Sequence, residues 1–480
     1  MRRPTRRTFL KQAAASAGVA VGFTIAGTQA SGRVLGANDV IRVGVAGING
    51  RGGNHISEFL GMKGVQVTHL IDPDSRLFPS RSKGIANKSG NTPKCFQDIR
   101  KALDDPEWDA LSIASCNHWH SLLSIWAIQA GKDVYVEKPC SHNVFEGRKL
   151  VEAAEKHKRI VQHGTQSRSA GNWHQMIAAV ASGKYGKLLI SYGYASKPRR
   201  SIGFAEPAEP PKELDFDLWL GPAPQQPYHK NLVHYNWHWF WDFGNGEIGN
   251  QGVHQMDLAR WAIEAAYGVV GPKSVVSLGG RFGYEDQGQT PNTQLTIFDF
   301  GPCKLFFEDY GLVDGKDARV DNIFITTEGV IRGGKFYAGG KGDGVPLEKF
   351  ETNCRPNGNF GNFIDCVRSR NAAELNAPIL QGHLGAACCH LGNISYRLGT
   401  KASMAKAPDV LASDPAAVEA FEGMKKNLRA HTDMDLDKAQ YTLGRVLRYD
   451  PAAERFVDDP EADQLLTRKY RAPYIVPAQV

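Results

Sequence analysis

The chain has 480 residues, of which 42% are hydrophobic, 10% aromatic and 22% charged, so it is globular, too long for one ordinary core, and neither disordered nor fibrous. Its formal charge of +7 sits at one end: the first 35 residues hold Arg2, Arg3, Arg6, Arg7, Lys11 and Arg33 and no acid, leaving 51 basic against 50 acidic side chains in the rest. That near-neutral remainder has no electrostatic footprint for DNA, RNA or an anionic membrane, so neither is expected as a partner.

Thr5 to Lys11 reads TRRTFLK, a twin-arginine pair followed by Phe and Leu, and a weakly apolar stretch rich in small residues follows from Ala13 to Ala30. This is the pattern of a twin-arginine signal peptide over residues 1–35, cleaved after Ala30, and it is too short and too rich in Gly, Ser and Thr for a good membrane span. The route carries folded proteins, so a periplasmic protein that folds before export is expected. The eight cysteines show no CxxC pair and no regular spacing, and read as small buried apolar residues.

Val40 to Ala46 is a β-branched run with the look of a buried strand, and it enters GINGRGGNH directly. Strand, glycine turn and an amphipathic segment from His55 to Met62 form the context in which a G-x-G-x-x-G pattern is informative; here it is Gly47, Asn49, Gly52, with Asn at the middle position. Asn tolerates left-handed backbone, so the turn is expected to survive. The next strand, Val65 to Ile71, ends in Asp72, placed to accept hydrogen bonds from an adenosine ribose, which favours NAD; Arg76 nearby keeps NADP possible. The competing reading of Asp72 is a helix N-cap ahead of Pro73.

A helix from Asp98 to Leu103 and a strand from Ala110 to Ala114 lead to the loop SCNHWH, Ser115 to His120. Loops at the carboxyl ends of strands line the crevice of a doubly wound sheet, which makes Cys116, Asn117 and His118 candidates to lie beside the nicotinamide ribose. After a helix from Ser121 to Ala130 comes DVYVEKPCSHN, Asp133 to Asn143, in which a short apolar run delivers Glu137, Lys138 and Pro139 at its end. A helix from Glu146 to His157 and a strand from Arg159 to Gly164 close the set.

In this order the strand, GINGRGG, the strand-end Asp, NHWH and VYVEKP resemble the Gfo/Idh/MocA family, the glucose-fructose oxidoreductase and inositol dehydrogenase-like enzymes. The likeness covers residues 40–170 well and extends to about residue 400. It implies an α/β fold: a Rossmann domain over 36–165 and an α+β substrate and oligomerisation domain over 166–400, whose open, largely antiparallel sheet covers the crevice and whose terminal helices pack back. The β-rich runs from Lys187, Lys273, Gln294, Cys303 and Asn322 agree, since no long helix separates the later ones. Residues 401–480 read as an extension that wraps the body or mediates subunit contact, and a homodimer or tetramer is expected.

The most aromatic stretch, Tyr228 to Asp257, gathers Tyr235, Trp237, Trp239, Phe240, Trp241 and Phe243 with His234, His238 and His254. Flat faces with polar edges suit pyranose rings, although at least half of these rings are expected to be structural. His234 and His238 lie at helical spacing, but no motif requires a metal. Asn250 and His254 match the family's Asp-x-x-x-His pattern, with Asn for Asp, and an Asn supplies no charge to raise the pKa of His254.

The resemblance implies cofactor contacts from Gly47, Asn49, Gly50, Arg51, Gly52, Asp72, Ser115, Asn117, His120, Glu137, Lys138 and Gln166. It implies substrate contacts from Lys138, Arg168, Tyr235, Trp237, Asn250 and His254. The expected chemistry is hydride transfer between a sugar or glycoside carbinol carbon and a tightly held nicotinamide, with His254 as base and Lys138 donating to the same oxygen, and the resemblance equally implies the two with their roles exchanged. Two alternatives stand beside it: a redox-assisted glycosidase or lyase acting through a transient keto-sugar, and a sugar-binding protein with structural NAD.

Overall fold

The computed structural model describes residues 39–480; the signal sequence expected over residues 1–35 lies outside the described residues. Strands β1 (Ile41–Ala46), β2 (Val65–Ile71), β3 (Lys94–Phe96), β4 (Ala110–Ile113), β5 (Asp133–Val136) and β6 (Val161–His163) form one sheet in the order β3-β2-β1-β4-β5-β6. Every pairing in it is parallel. Such a sheet must be covered on both faces. One face packs Ile56 and Phe59 of helix Gly50–Leu60 with Phe363 and Val367 of helix Gly358–Ser369. The other packs Leu122, Ile125 and Trp126 of helix Asn117–Gln129 with Leu150 and Val151 of helix Val144–Lys156. Strand order reverses between β1 and β4, so their carboxyl ends open a crevice at the switch point.

The second sheet holds the twelve strands β7 (Leu188–Ser196), β8 (Ser274–Gly280), β9 (Thr293–Asp299), β10 (Lys304–Tyr310), β11 (Arg319–Thr326), β12 (Gly329–Arg332), β13 (Lys335–Ala338), β14 (Val345–Pro346), β15 (Thr400–Ser403), β16 (Gln440–Leu443), β17 (Leu447–Asp450) and β18 (Arg455–Phe456). All neighbours are antiparallel except β7 and β10. Helices Gly252–Tyr267 and Ile379–Arg397 pack on one face, burying Val253, Met256, Leu391 and Ile394 against Leu305, Phe307 and Phe324.

Residues 401–480 are less an appendage than part of the body. Strands β16 and β17 both pair with β8. Helix Pro415–His431, whose N-cap Asp414 accepts from the amides of Ala416 and Ala417, lays Phe421, Met424 and Leu428 on the other face of the sheet, in one cluster with Leu278, Leu295 and Phe306. Glu454, held at about 2 by His383 and Arg148 against the cost of burial, fastens this region to helix Val144–Lys156. The chain then returns to the first domain, where Tyr474 and Val476 join the cluster of Trp119 and Trp126. Among the described residues no helix is long and apolar enough to cross a membrane.

Helix Phe78–Ser89 and strand β3 were not anticipated, and helix Asn117–Gln129 begins four residues before the expected Ser121, so NHWH forms its first turn rather than a loop. All eight cysteines are free and five of them are buried.

Candidate active site

One cleft runs along the carboxyl ends of β1, β2, β4 and β5 and under residues 218–250, enclosing about 1440 Å³ including its open mouth. At its nucleotide end Gly47 adopts φ +75°, and a Cβ on Gly52 would lie 1.8 Å from the Gly47 carbonyl oxygen. That contact lets the turn close onto the start of helix Gly50–Leu60. Asn49, the N-cap, has φ −76° and extended backbone, so the left-handed tolerance expected of it is not used. The helix has no side-chain cap and no acid in its first turn, and a Cβ on Gly50 would meet open space. Unsatisfied N–H groups with the positive end of the helix dipole and no competing carboxylate fit a pyrophosphate.

Asp72 is buried at the same end, its Oδ2 accepting from the Ile48 amide at 2.9 Å and its Oδ1 from the Asp74 amide at 2.9 Å. Burial pushes it up to about 6 against those two donations. The side chain therefore braces the glycine turn while lining the cleft, and the capping role falls to Asp74, which receives the Arg76 amide. Arg76 donates back to both oxygens of Asp74, at 2.7 and 2.5 Å. Asn117 Nδ2, buried in the first turn beyond β4, has no partner among the described residues, and Asn117 lines the cleft.

At the floor, β5 delivers Glu137 and Lys138 in opposite roles. Glu137 Oε1 accepts from Arg51 Nε at 2.8 Å, His55 Nε2 at 3.1 Å and Gln166 Nε2 at 3.3 Å. Burial would raise its carboxyl, but His55, Arg51 and Lys138 hold it well below the usual range. Glu137 thus anchors the glycine-turn helix through Oε1 while also lining the cleft. Lys138 Nζ crosses to the second domain, donating to the Asn250 carbonyl at 3.0 Å and to Asn250 Oδ1 at 3.3 Å. Burial lowers its ammonium, opposed by Glu137 and Glu247.

Behind Asn250 lies the charge that residue lacks. Asn250 Nδ2 donates to Glu247 Oε2 at 3.2 Å, and Glu247 is paired with Arg199 at 2.6 and 2.9 Å. Glu247, three residues earlier, thus puts a carboxylate behind Asn250 and acts to raise Lys138. Sequence reading missed this set, although Glu247 lies one helical turn before Asn250.

The aromatic wall separates as expected into core and surface. Trp237, Trp239, Phe240 and Phe243 are buried, whereas Tyr235 is 53% exposed at the mouth. His234 Nε2 reaches across to Asp74 Oδ2 at 2.9 Å, and His238 Nδ1 lies 2.6 Å from the Tyr235 carbonyl, so the two histidines have separate partners.

Several expected contacts resolve otherwise. Arg168 is buried with both Asp257 oxygens at 2.7 and 3.0 Å and lies outside the cleft lining, so it is a core ion pair and not a substrate ligand. Gln166, also outside the lining, donates to Tyr135 and Glu137. Gly52 is a packing residue. His120 lines the cleft, with both ring nitrogens directed at backbone carbonyls, those of Pro139 (2.6 Å) and Ser115 (2.9 Å). Ser115, Gly47, Asn49, Gly50, Arg51, Trp237 and Asn250 all line the cleft. His254 does not; burial and then the Lys138 charge lower it to about 3.

Residues 41–165 match the family model for the oxidoreductase family NAD-binding Rossmann fold of the Gfo/Idh/MocA group, and residues 201–428 match that group's C-terminal alpha/beta domain. The chain belongs to the Gfo/Idh/MocA oxidoreductase family. Its first domain is an NAD-binding Rossmann fold, as the helix start and glycine turn require. Among curated members it is 25% identical over 219 residues to a glycosyl hydrolase family 109 protein of Saccharopolyspora erythraea, covering 42% of this chain and 48% of that one. It is 27% identical over 187 residues to inositol 2-dehydrogenase 1 of the same organism, covering 38% and 54%. The chain thus spans about half the length of the curated relatives it matches. The WlbA dehydrogenase of Bordetella pertussis, solved with NADH and UDP-GlcNAcA, superposes with a TM-score of 0.54 at 16% identity over 74% of this chain and 96% of that one. Levoglucosan dehydrogenase with NADH gives 0.53 at 15% identity over 74% and 97%. At such identities these two share the fold.

Proposed function

We propose that this Gfo/Idh/MocA member is an exported NAD-dependent oxidoreductase that transfers hydride between a sugar or glycoside hydroxyl carbon and a retained nicotinamide. The observation that carries the reading is Lys138: its Nζ is held by Asn250 on the floor of the same cleft that the glycine turn opens. Bound NAD accepts or returns the hydride. The protein's part is to hold the pyrophosphate on helix Gly50–Leu60, to meet the adenosine ribose with Asp72, and to direct an ammonium at the reacting oxygen, where alkoxide character develops. Arg76 is clamped on Asp74, which supports NAD over the 2′-phosphorylated cofactor. The hydroxyl proton passes to a histidine beside Lys138. Export rests on the twin-arginine pattern in residues 1–35.

The test is to release and assay nucleotide from the purified protein, then add glycosides and follow reduction of the bound cofactor. Lys138→Met is expected to lower the reduction rate by about 10²–10³-fold with nucleotide content unchanged. A near-wild-type rate would remove Lys138 from the chemistry. The similarity to glycosyl hydrolase family 109 proteins favours a second reading, redox-assisted glycosidase or lyase action through a transient keto-sugar. Release of the aglycone without net cofactor reduction would select it.

A further inference from the structure

The Lys138 charge acts on two histidines, lowering both, and they differ in what else surrounds them. His254 has Glu137, His163 and Asp257 as its other charged or titratable neighbours, all outside the aromatic wall, and is absent from the cleft lining. His238 lines the cleft together with Lys138 and Asn250; its other such neighbours are Arg199 and His120, and burial lowers it to about 3, as it does His254, so what separates the two is place and not basicity.

The His238 ring is held on two sides and its backbone on a third. It stacks on Trp237 at a centroid distance of 3.6 Å and 19° between planes. Its Nδ1 lies 2.6 Å from the Tyr235 carbonyl oxygen, which only accepts, so Nδ1 carries the proton. Its backbone is seated against Gly244, where a Cβ would come within 2.5 Å of the His238 Cα and oxygen. With Nδ1 protonated and the imidazole neutral, Nε2 presents a lone pair, and it makes no hydrogen bond among the described residues. Nor is Nε2 among the buried polar atoms left without a partner. A clamped ring, one nitrogen bonded to a backbone carbonyl and the other bare, fixes Nε2 as the atom that meets a proton arriving from the cleft.

We infer that His238 is the proton acceptor for the hydride-transfer reaction proposed above, with His254 a positioning residue beside Lys138. In the oxidative direction the carbinol C–H bond breaks with its electron pair going to nicotinamide C4, so NAD⁺ becomes NADH. The O–H bond breaks with its proton going to His238 Nε2, and the carbon–oxygen bond becomes a carbonyl while Lys138 donates to that oxygen. The reverse direction returns the proton from the imidazolium.

The experiment compares His238→Gln and His254→Gln in the full, NAD-loaded chain. His238→Gln is expected to reduce single-turnover cofactor reduction by about 10²–10⁴-fold with NAD content and circular dichroism unchanged, and added imidazole is expected to restore part of the rate in His238→Ala. His254→Gln is expected to lose less and to gain nothing from imidazole. A readout free of turnover is ¹⁵N NMR of histidine-labelled, NAD-loaded protein: the resonances missing from His238→Gln should be those of an Nδ1–H tautomer with bare Nε2 at neutral pH. The assignment is overturned if wild type turns over and His238→Gln matches it, or if Nε2 carries the proton. A wild type that holds NAD and reduces none with any sugar overturns the oxidoreductase reading itself, an outcome distinguished by the silence of every variant.

Discussion

The two walls of the cleft are built by opposite means. On the nucleotide wall the working surface is backbone: a glycine turn, the open start of a helix, and a carboxylate, Asp72, whose two oxygens hold amides in place. On the opposite wall the surface is made of side chains, with buried rings supporting one stacked imidazole and one exposed phenol. A backbone surface has no slack, because a single added atom meets another backbone, whereas a side-chain surface can lose a member at its edge and keep its support.

Three changes sharpen this contrast, from the largest effect to the smallest. Gly52→Ala sets a methyl 1.8 Å from the Gly47 oxygen, so the turn must open. A cost of about 3 kcal/mol or more is expected, with loss of NAD binding by calorimetry; retained binding would mean the turn is not held by that contact. Asp72 gives an intermediate effect through pH. In the apoprotein its stabilising contribution is full below its ordinary value of 3.8 and is lost as pH rises through about 6, because burial disfavours the charge. Ribose hydroxyls favour the charged form, so binding releases the proton. NAD affinity is expected to be flat above about 6 and to fall by up to about tenfold per pH unit just below it, a slope that Asp72→Asn should abolish. Tyr235→Ala, at the exposed mouth, is expected to leave the melting transition within about 0.5 kcal/mol of wild type and to raise the sugar KM several-fold without changing NAD affinity. A large stability loss there would make the aromatic wall as intolerant as the other.

The same contrast governs what the sequence discloses. Gly47, Gly52, Asp72 and Lys138 are legible because strand ends and tight turns impose residue types at fixed spacing, and the six-stranded parallel order follows from the alternation of apolar runs and helices. Arg168 reads like a ligand because its loop follows the last strand of the nucleotide domain; its partner Asp257 lies far along the chain, and spacing gives no sign of the ion pair. Glu137 lines the cleft as its strand-end place suggests, but the convergence of Arg51 and His55 on it is a tertiary fact that spacing does not show. The role of Glu247 behind Asn250, and the orientation of His238 toward Tyr235 rather than toward His234, likewise depend on an irregular segment whose path is set by packing and not by a repeat.

The last stretch of the chain bears on how the first domain comes to exist. Tyr474 packs edge-on against Trp119 at 5.4 Å and bonds Asp217, Arg471 holds the Gly221 carbonyl at 3.0 Å, and Gly221 itself lies under the Trp119 ring. Trp119 lines the nucleotide end of the cleft, so that end is completed by residues separated from it by most of the chain. The segment that matches the Rossmann family model is therefore not closed on itself, since Tyr474 and Gly221 from outside it cover Trp119. Excised at residue 165 it would expose Trp119 and Trp126 to water, and in the intact protein loop-closure entropy makes the sealing of the adenosine pocket a late event.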